Sequence, residues 1–212
     1  MCEVLKVDRE NPSNQILERV SSVVKSGGVV VLPTETVYGL VGDVSSAPVL
    51  ERILKLKRRG ADKPISIFVN REVLIKLFPK GLPQVSRKLA DRFWPGPLTL
   101  IIPYEGRDFQ HLTSGSRKIG LRFSASRLIQ GVLEKVKTPL SATSANLSGE
   151  KRPYPFEKIL QTFSSRVDLI VKAEERQGEK ASTVLEVEAK GVRIIREGAV
   201  PTKEITDFLL EG

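Results

Sequence analysis

The N-terminal part of the chain alternates between a helical and a strand-like pattern of hydrophobic positions. Segment 11–28 has a proline in its first turn, apolar residues at helical spacing and two glycines at its end, which is typical of a capped amphipathic helix. Residues 29–32 are apolar without polar alternation, which predicts a strand covered on both faces. Pro33 ends this strand, so we expect the polar residues 34–36 to lie in a loop at a buried strand end.

The rest of the chain mixes strand and helix patterns. A second helix begins near Ser45 or Ser46 and ends at Gly60. Further strands are predicted at 65–69, 98–102, 119–123, 140–143, 169–171, 183–187 and 192–195, and further helices at 71–77, 84–93, 126–136, 155–163 and 202–210. Since neither a linker nor a repeat interrupts this order, we expect one mixed α/β domain over residues 1–212 with a large sheet. The polar stretch 172–182 is the best candidate for a mobile loop.

The composition is that of a folded globular protein with surplus positive charge. Apolar residues make up 40% and charged residues 28% of the chain, which excludes a collagen, a coiled-coil rod and a disordered chain. The chain has 34 Lys and Arg against 25 Asp and Glu, a net charge of +9. A surplus of this size attracts phosphates, nucleotides or nucleic acids, so we expect an anionic partner.

The expected compartment follows from the cysteine count and from the lack of targeting signals. The single cysteine, Cys2, lies in a terminus that we expect to be frayed, and it can form neither an internal disulfide nor a cysteine-based zinc site. The sequence contains no export signal and no apolar run of about 18 residues. We therefore expect a cytoplasmic protein without a membrane partner.

Several catalytic mechanisms lack the residues that they require. His111 is the only histidine, and no Gly-x-Ser-x-Gly motif accompanies it, which argues against a Ser-His-Asp hydrolase. Neither a Gly-x-Gly-x-x-Gly motif after a strand nor a P-loop is present. Without clustered His and Cys we expect no protein-bound transition metal, whereas a magnesium ion that arrives with phosphates remains open.

Two segments are candidates for binding an anion. Five basic residues between Lys55 and Lys63 lie mostly at the end of the second helix, where they either bind phosphate or complement the helix dipole on a solvated face. Residues 141–149 are rich in hydroxyl groups and follow a buried strand. They either donate hydrogen bonds to phosphate or form an ordinary loop. The residues alone leave both pairs of alternatives open.

Polar side chains at other strand ends extend this candidate site. Thr34, Thr36 and Tyr38 lie where open α/β sheets bind ligands, unless they only cap a turn. Arg122 and Arg196 lie on or at the end of predicted strands. A guanidinium there requires a carboxylate or phosphate partner, unless it only keeps a strand edge soluble.

Four motifs follow one another along the chain. They are Leu-Pro-Thr-Glu-Thr-Val-Tyr-Gly-Leu at 32–40, Lys-Arg-Arg at 57–59 with Lys-Pro at 63–64, Trp-Pro-Gly-Pro-Leu-Thr at 94–99, and Ser-Ala-Asn-Leu-Ser-Gly at 144–149. In this order and spacing they resemble the YrdC-like family, the threonylcarbamoyl-adenylate synthases. The resemblance spans about residues 12–200. It implies a single-domain, open and twisted mixed sheet, with parallel and antiparallel strands, flanked by helices.

The resemblance implies that the chain joins L-threonine, bicarbonate and ATP into threonylcarbamoyl-AMP and releases pyrophosphate. This product is the activated precursor for modifying the tRNA adenosine next to the anticodon. The implied cofactor is Mg²⁺ carried with ATP, without metal ligands from the protein. The implied partners are tRNA and downstream tRNA-modifying transferase proteins. Longer relatives have a C-terminal regulatory domain, which we do not expect in this chain.

The resemblance also assigns roles to individual residues. The family signature, Lys-x-Arg and Ser-x-Asn, is present as Lys57/Arg59 and Ser144/Asn146. Lys57 and Arg59 are the implied catalytic residues and bind the triphosphate. The other residues implied to bind ATP are Ser144, Asn146 and Arg196. The residues implied to bind threonine are Thr34, Arg122, Ala142 and Ser182.

Three positions depart from the family pattern. Many relatives carry His where this chain has Phe68, and often Thr and Ser where it has Lys118 and Arg152. The last two changes add positive charge. We hypothesise that Lys118 and Arg152 still line the nucleotide site, bind ATP and hold its phosphates more strongly.

A non-catalytic RNA-binding module of the same fold is the alternative function. The net charge of +9 suits such a module, because neutralising the phosphates of double-stranded RNA or tRNA needs only Lys and Arg. Steep loss of RNA binding with salt, without ATP turnover, would distinguish this module from the enzyme.

Overall fold

The strands of the protein are divided between two hydrogen-bonded sheets. The computed structural model describes residues 2–60, 65–106, 109–113, 115–150, 153–174, 178, 180–188 and 191–211. The strands in these ranges are β1 (Glu3–Lys6), β2 (Val30–Leu32), β3 (Gly39–Val41), β4 (Ile67–Phe68), β5 (Leu98–Pro103), β6 (Lys118–Arg122), β7 (Leu140–Ser141), β8 (Thr143–Ser144), β9 (Leu169–Lys172), β10 (Thr183–Glu188) and β11 (Gly191–Arg196). The helices are α1 (Asn14–Lys25), α2 (Ala47–Lys57), α3 (Arg71–Leu77), α4 (Gln84–Phe93), α5 (Arg127–Val136), α6 (Phe156–Phe163) and α7 (Thr202–Leu210), with a short 3-10 helix at Gln110–Leu112.

Both sheets are open and contain parallel and antiparallel pairs. The five-stranded sheet has the order β1-β9-β2-β3-β8, and the six-stranded sheet has the order β11-β10-β5-β6-β4-β7. The parallel pairs are β1–β9, β2–β9, β5–β10 and β4–β6, and the remaining pairs are antiparallel. The predicted fold class is therefore confirmed, with the strands distributed over two sheets instead of one large sheet.

A short segment, residues 140–144, joins the edges of the two sheets, and we call it the seam. The sequence pattern predicts one strand here, but β7 pairs with β4 in the six-stranded sheet and β8 pairs with β3 in the five-stranded sheet. The Ser141 hydroxyl donates to the Leu40 oxygen (2.9 Å) and accepts from the Gly42 N–H (3.0 Å). The seam thus passes from the six-stranded sheet to the five-stranded sheet, and the Ser141 hydroxyl is hydrogen-bonded at the crossing.

Capping residues and apolar spacing account for the helices that flank the sheets. The hydroxyls of Ser13 and Ser126 accept from the N–H groups of Ile16 and Ile129, which caps α1 and α5. Apolar side chains of these two helices pack on one face of the five-stranded sheet. The second core cluster contains side chains from the opposite face of that sheet, from one face of the six-stranded sheet and from helices α2, α3, α4, α6 and α7. This packing fixes the strand ends at which the candidate site lies.

Two strands form where the sequence pattern predicts none. The N-terminus is not frayed: β1 pairs with β9, and the Cys2 N–H donates to the Ser164 oxygen at 2.8 Å. Such pairing to a buried strand is a tertiary effect that local patterning does not reveal. Similarly, β3 returns beside β2 after the loop at 33–38. In the expected mobile loop, Lys172 belongs to β9 and Ser182 is buried, whereas residues 175–177 and 179 lie outside the described residues.

Candidate active site

A cavity of about 430 Å³ opens where the seam brings the two sheets together. Its floor is a face of the six-stranded sheet that includes Phe68, Ile101, Arg122 and Val184, and its walls include the segment 142–150. The residues of the sequence-based assignment that line this cavity are Thr34, Lys57, Arg59, Arg122, Ala142, Ser144, Asn146, Ser182 and Arg196. Distant parts of the chain therefore converge on one cavity.

The end of α2 places two of three consecutive basic residues at the cavity. Lys57 is the last residue of this helix, and Arg58 follows in the left-handed conformation with φ of 50°. Arg58 is exposed, whereas Lys57 and Arg59 line the cavity. Lys57 is only 3% exposed, so it does not complement the helix dipole on a solvated face.

The Lys57 ammonium is buried against main-chain oxygens. Its Nζ donates to the oxygens of Ser144 (2.5 Å) and Asn146 (2.8 Å), and the Lys57 oxygen accepts from the Ser148 N–H (2.8 Å). Burial, together with the neighbouring charge of Arg59, lowers the pKa of Lys57 to about 8. An ammonium has three donors, so one donor remains for a ligand.

The loop after β8 is held closed by its own side chains. The Ser144 hydroxyl donates to Asn146 Oδ1, and Asn146 Nδ2 donates to the oxygens of Leu147 (2.9 Å) and Glu150 (3.3 Å). The buried Ser148 hydroxyl has no partner within the described part of the chain. Because this loop lies against the Lys57 ammonium and lines the cavity, its hydroxyl and amide groups lie beside fixed positive charge.

Arg122, the last residue of β6, is 7% exposed in the cavity floor. Its Nη2 donates to Glu35 Oε1 (2.8 Å) and Thr36 Oγ1 (2.7 Å), which uses both hydrogens of that nitrogen. Its Nε is buried and bonds to none of the residues that the structure describes. Because Nε is buried, the Nη1 donors are the ones left for a ligand. The guanidinium lies over the Phe68 ring, 5.5 Å from its centroid.

Glu35 lies behind Arg122 and is kept ionised. Burial disfavours its charge, but the Arg122 guanidinium and the Ser124 hydroxyl hold the pKa of the Glu35 carboxyl below its ordinary value of 4.5. The sequence analysis assigned no role to Glu35. The sequence does contain a signal for this pair: a carboxylate follows directly after one buried strand, and an arginine lies on another buried strand.

The Thr34 hydroxyl has no hydrogen-bonding capacity left. It donates to the Val37 oxygen (2.7 Å), accepts from the Thr36 N–H (3.1 Å) and lies 3.0 Å from Thr36 Oγ1. Since its one hydrogen goes to Val37, Thr36 donates in the contact between the two hydroxyls. Thr34 therefore lines the cavity within a closed network, which would have to open before Thr34 could make a polar contact with a ligand.

Arg196, the last residue of β11, is held at the cavity by the main chain of Ser182. Its Nε and Nη2 donate to the Ser182 oxygen (3.2 and 2.8 Å), while the Ser182 hydroxyl lies 2.9 Å from Thr99 Oγ1. Burial, together with the charge of Arg122, lowers the pKa of Arg196. The guanidinium groups of Arg122 and Arg196 therefore both lie at the cavity.

The cavity has an excess of positive charge. Its described lining residues include the cations Lys57, Arg59, Arg122 and Arg196 and a single carboxylate, Glu150, which bonds Lys158 at the surface (2.8 Å). Cations this close to one another are stabilised by an anion that bridges them. The arrangement can hold a polyanion at the end of α2 and a carboxylate at Arg122.

One described residue of the sequence-based assignment, Lys118, is not part of this arrangement. Lys118 lies four residues before Arg122 on the same face of β6, about 13 Å away at the usual strand rise. Its ammonium bonds Glu186, which also bonds Arg193. The charge of Lys118 is therefore neutralised by a carboxylate, and Lys118 does not line the cavity. Arg152 lies outside the described residues.

Two other kinds of site are absent from the described residues. Within the ranges given above, no helix is long and apolar enough to cross a membrane. Nor do three His, Cys, Asp or Glu side chains come together there as metal ligands would. His111 lies away from the cavity lining, with Nε2 2.7 Å from the Val44 oxygen.

The family of the chain is established by comparison with known proteins. Residues 22–198 match the Sua5/YciO/YrdC family model, which carries the description "Telomere recombination". The chain belongs to the Sua5/YciO/YrdC family. The resemblance seen in the four motifs is thereby confirmed, and described residues of each motif line the cavity.

Two relatives of this Sua5/YciO/YrdC protein are named as synthases. The threonylcarbamoyl-AMP synthase of Pyrococcus abyssi is 29% identical over 203 residues, which are 96% of this chain and 60% of the relative. The putative threonylcarbamoyl-AMP synthase of Mycobacterium tuberculosis is 28% identical over 202 residues, 95% of this chain and 92% of the relative. The chain therefore spans 60% of the length of the first relative and nearly all of the second.

A solved structure of the same family has the same fold. The crystal structure of P. abyssi Sua5 complexed with L-threonine superposes with a TM-score of 0.88 at 29% identity. The superposition covers 97% of this chain and 60% of that chain. The arrangement of two open sheets is therefore shared with a protein that binds threonine.

Proposed function

We propose that this Sua5/YciO/YrdC protein is a threonylcarbamoyl-AMP synthase, which converts L-threonine, bicarbonate and ATP into threonylcarbamoyl-AMP and pyrophosphate. The observation that carries the proposal is the convergence of four cations on one cavity whose single described carboxylate is bonded to a surface lysine. Two anionic substrates that must react with each other need such a site. The names of the two relatives and the threonine bound to P. abyssi Sua5 support the same reaction.

The triphosphate is assigned to the end of the cavity formed by α2 and the loop after β8. Lys57 and Arg59 supply positive charge there. Ser144 and Asn146 donate to the phosphate oxygens once the bonds of their side chains within the loop open, since those bonds use all of their donors. Mg²⁺ arrives with ATP, because phosphate oxygens and water are the ligands that it prefers. Arg196 is assigned to the nucleotide on the side that meets threonine, since it lies close enough to Arg122 to feel its charge.

The threonine carboxylate is assigned to Arg122. A guanidinium whose Nη2 is fixed by Glu35 and Thr36 presents its Nη1 donors in a defined direction. Ser182 supplies a hydroxyl beside this position, and Ala142 leaves room for the amino acid in the wall. The carboxylate thereby neutralises part of the repulsion between Arg122 and Arg196.

The reaction needs positioning and charge stabilisation more than covalent chemistry. The neutral amine of threonine adds to carbon dioxide derived from bicarbonate and loses a proton, which gives a carbamate. A carbamate oxygen then attacks the α-phosphorus of ATP, and the bond to pyrophosphate breaks. Because both partners are anions, fixed cations on either side lower the barrier by bringing them together.

The biological setting is part of the proposal. Threonylcarbamoyl-AMP is an activated acyl donor for the tRNA adenosine next to the anticodon, so a tRNA-modifying transferase must consume it. We assign the protein to the cytoplasm, where ATP and tRNA meet. We also treat residues 1–212 as one domain, because the two sheets share one core cluster and both line the cavity.

Threonine-dependent pyrophosphate release is the test of the proposed function. Incubation with ATP, L-threonine and labelled bicarbonate should release pyrophosphate only when threonine is present and should place the label in an adenylate. Serine at the same concentration is the control for the amino acid. If the protein releases no pyrophosphate but binds RNA with an affinity that falls steeply with salt, the RNA-binding module is the better description.

The affinity for ATP should fall as the pH rises above about 8. The pKa of Lys57 is lowered to about 8 by burial and by Arg59, so the free protein loses this charge above that pH, whereas a bound triphosphate favours the charged form. Calorimetric titration of ATP across this range should show weaker binding with proton uptake. Lys57→Met should bind weakly without this step, and a wild-type affinity that does not change with pH would contradict the assignment.

A further inference from the structure

The Glu35 carboxylate accepts hydrogen bonds from three residues although Glu35 lies in a loop. Its Oε1 accepts from Arg122 Nη2 (2.8 Å) and from the Ala125 N–H (3.2 Å), and its Oε2 accepts from the Ser124 hydroxyl. Its side chain is 16% exposed. Glu35 does not line the cavity but lies directly behind a residue that does.

We propose that Glu35, assisted by Thr36, is a positioning residue that orients the Arg122 guanidinium toward the carboxylate of the amino-acid substrate. The inference rests on the proposed function, because it assumes that Arg122 binds this carboxylate. It assigns to Glu35 an effect on amino-acid binding that acts entirely through Arg122.

Three contacts restrain the guanidinium in different directions. Glu35 and Thr36 occupy both hydrogens of Nη2, which fixes the rotation of the group within its plane. The Phe68 ring lies under its face, 5.5 Å from centroid to Cζ, and restricts tilting of that plane. Of the other donors, Nε is buried, so the Nη1 hydrogens are the ones that can reach a ligand.

The negative charge of Glu35 keeps Arg122 in place when the cavity is empty. Arg196 is near enough for its pKa to be affected by the charge of Arg122, so repulsion would turn a freely rotating guanidinium away. Glu35 opposes this repulsion from the side away from the cavity. Orientation before the ligand arrives lowers the ordering cost of binding.

Glu35 itself is anchored to another element. Ser124 and Ala125 lie between β6 and the capped start of α5, and the Ser126 N–H donates to the Ser124 hydroxyl (3.2 Å). The carboxylate therefore ties the loop after β2 to the residues that follow Arg122 along the chain. Glu35 therefore bonds both Arg122 and the residues at 124 and 125 that follow it closely.

Glu35→Ala should raise the KM for L-threonine by about ten- to a hundredfold, the loss expected for one charge-assisted contact. The kcat and the KM for ATP should stay within about threefold of wild type, since the triphosphate site is untouched. Glu35→Gln keeps an acceptor oxygen for Arg122 and should restore the threonine KM to within about fivefold. Calorimetric titration with L-threonine alone checks the same order of affinities without turnover.

The matched control is Glu3→Ala. Glu3 also holds an arginine, Arg19, through two hydrogen bonds of 2.9 and 2.7 Å, but on the surface. This variant should keep the wild-type KM for threonine. Unfolding by urea shows whether each variant is folded under the assay conditions.

The outcomes separate the inference from the proposed function. If wild type binds threonine and folded Glu35→Ala binds it equally well, the inference fails and the proposed function stands. If Glu35→Gln is as impaired as Glu35→Ala, or if kcat and both KM values change together, positioning through a hydrogen bond is also wrong. If wild type neither binds threonine nor releases pyrophosphate, both proposals fall.

Discussion

Lys57→Met should lower kcat for threonine-dependent pyrophosphate release by about a hundred- to a thousandfold, the usual effect of removing one preorganised charge from a transition state. The Lys57 ammonium is bonded to two main-chain oxygens and has one donor left for the developing charge at phosphorus. Methionine fills the same space without charge. Steady-state kinetics at saturating ATP and threonine measure the loss.

Lys55→Met is the matched control for this prediction. Lys55 lies on the same helix but is exposed and paired with Glu51 at 2.8 Å, and an exposed pair of this kind contributes little. The control should retain the wild-type kcat. The free energy of unfolding of Lys57→Met should fall by no more than about 3 kcal/mol, since the Ser144 oxygen still accepts from the Asn146 N–H and one carbonyl, that of Asn146, loses its described donor. Equal turnover in the two variants would remove Lys57 from the mechanism.

Arg122→Met should affect both substrate binding and stability. Loss of the carboxylate anchor should raise the KM for L-threonine by about a hundredfold or more. The Arg122 and Glu35 side chains are 8% and 16% exposed, and breaking a buried pair from one side costs about 3–5 kcal/mol of unfolding free energy. The double variant Arg122→Met/Glu35→Gln should regain most of this stability and none of the threonine affinity.

The pH dependence of unfolding distinguishes this explanation from a general loss of packing. In wild type the pKa of Glu35 lies below 4.5, so its stabilising effect is present above that pH and is lost as the pH falls through the folded pKa. In Arg122→Met the buried carboxyl has no cation beside it, and its pKa rises. The stability deficit of the variant should therefore shrink between about pH 7 and about pH 4.5. A deficit that is equal at both pH values and persists in the double variant would contradict this role of Glu35.

Nine of the cavity-lining residues belong to the sequence-based assignment, and five of them lie in motifs that fall where a strand or a helix ends. The roles of Lys57, Arg59, Ser144 and Asn146 were implied by the family resemblance, and the structure places these residues at the ends of α2 and β8. What the sequence could not resolve was whether the basic cluster is a solvated face. Only the fold buries Lys57 against the loop after β8, far along the chain.

Pairing between distant residues is what the sequence pattern did not reveal. Lys118 was grouped with the nucleotide site because it stands where relatives often have Thr, four residues before Arg122. Its bond to Glu186 depends on the order of β10, β5 and β6. Glu35 was missed because its partner, Arg122, lies far along the chain. The strand β1 was missed because its apolar residues are few and its partner, β9, comes late in the sequence. Local patterning predicts elements better than it predicts which elements meet.

The seam has a consequence for how the two reactants are aligned. The groups assigned to the carboxylate, Arg122 and Ser182, belong to the six-stranded sheet and its connections, whereas Ser144 belongs to the five-stranded sheet. Apart from Arg196 of β11, the groups proposed to bind the two substrates therefore do not share a sheet, and residues 140–144 set the offset between the two sheets. Lengthening this connection by one residue would leave both binding surfaces chemically complete while moving the nucleophile off the line of attack.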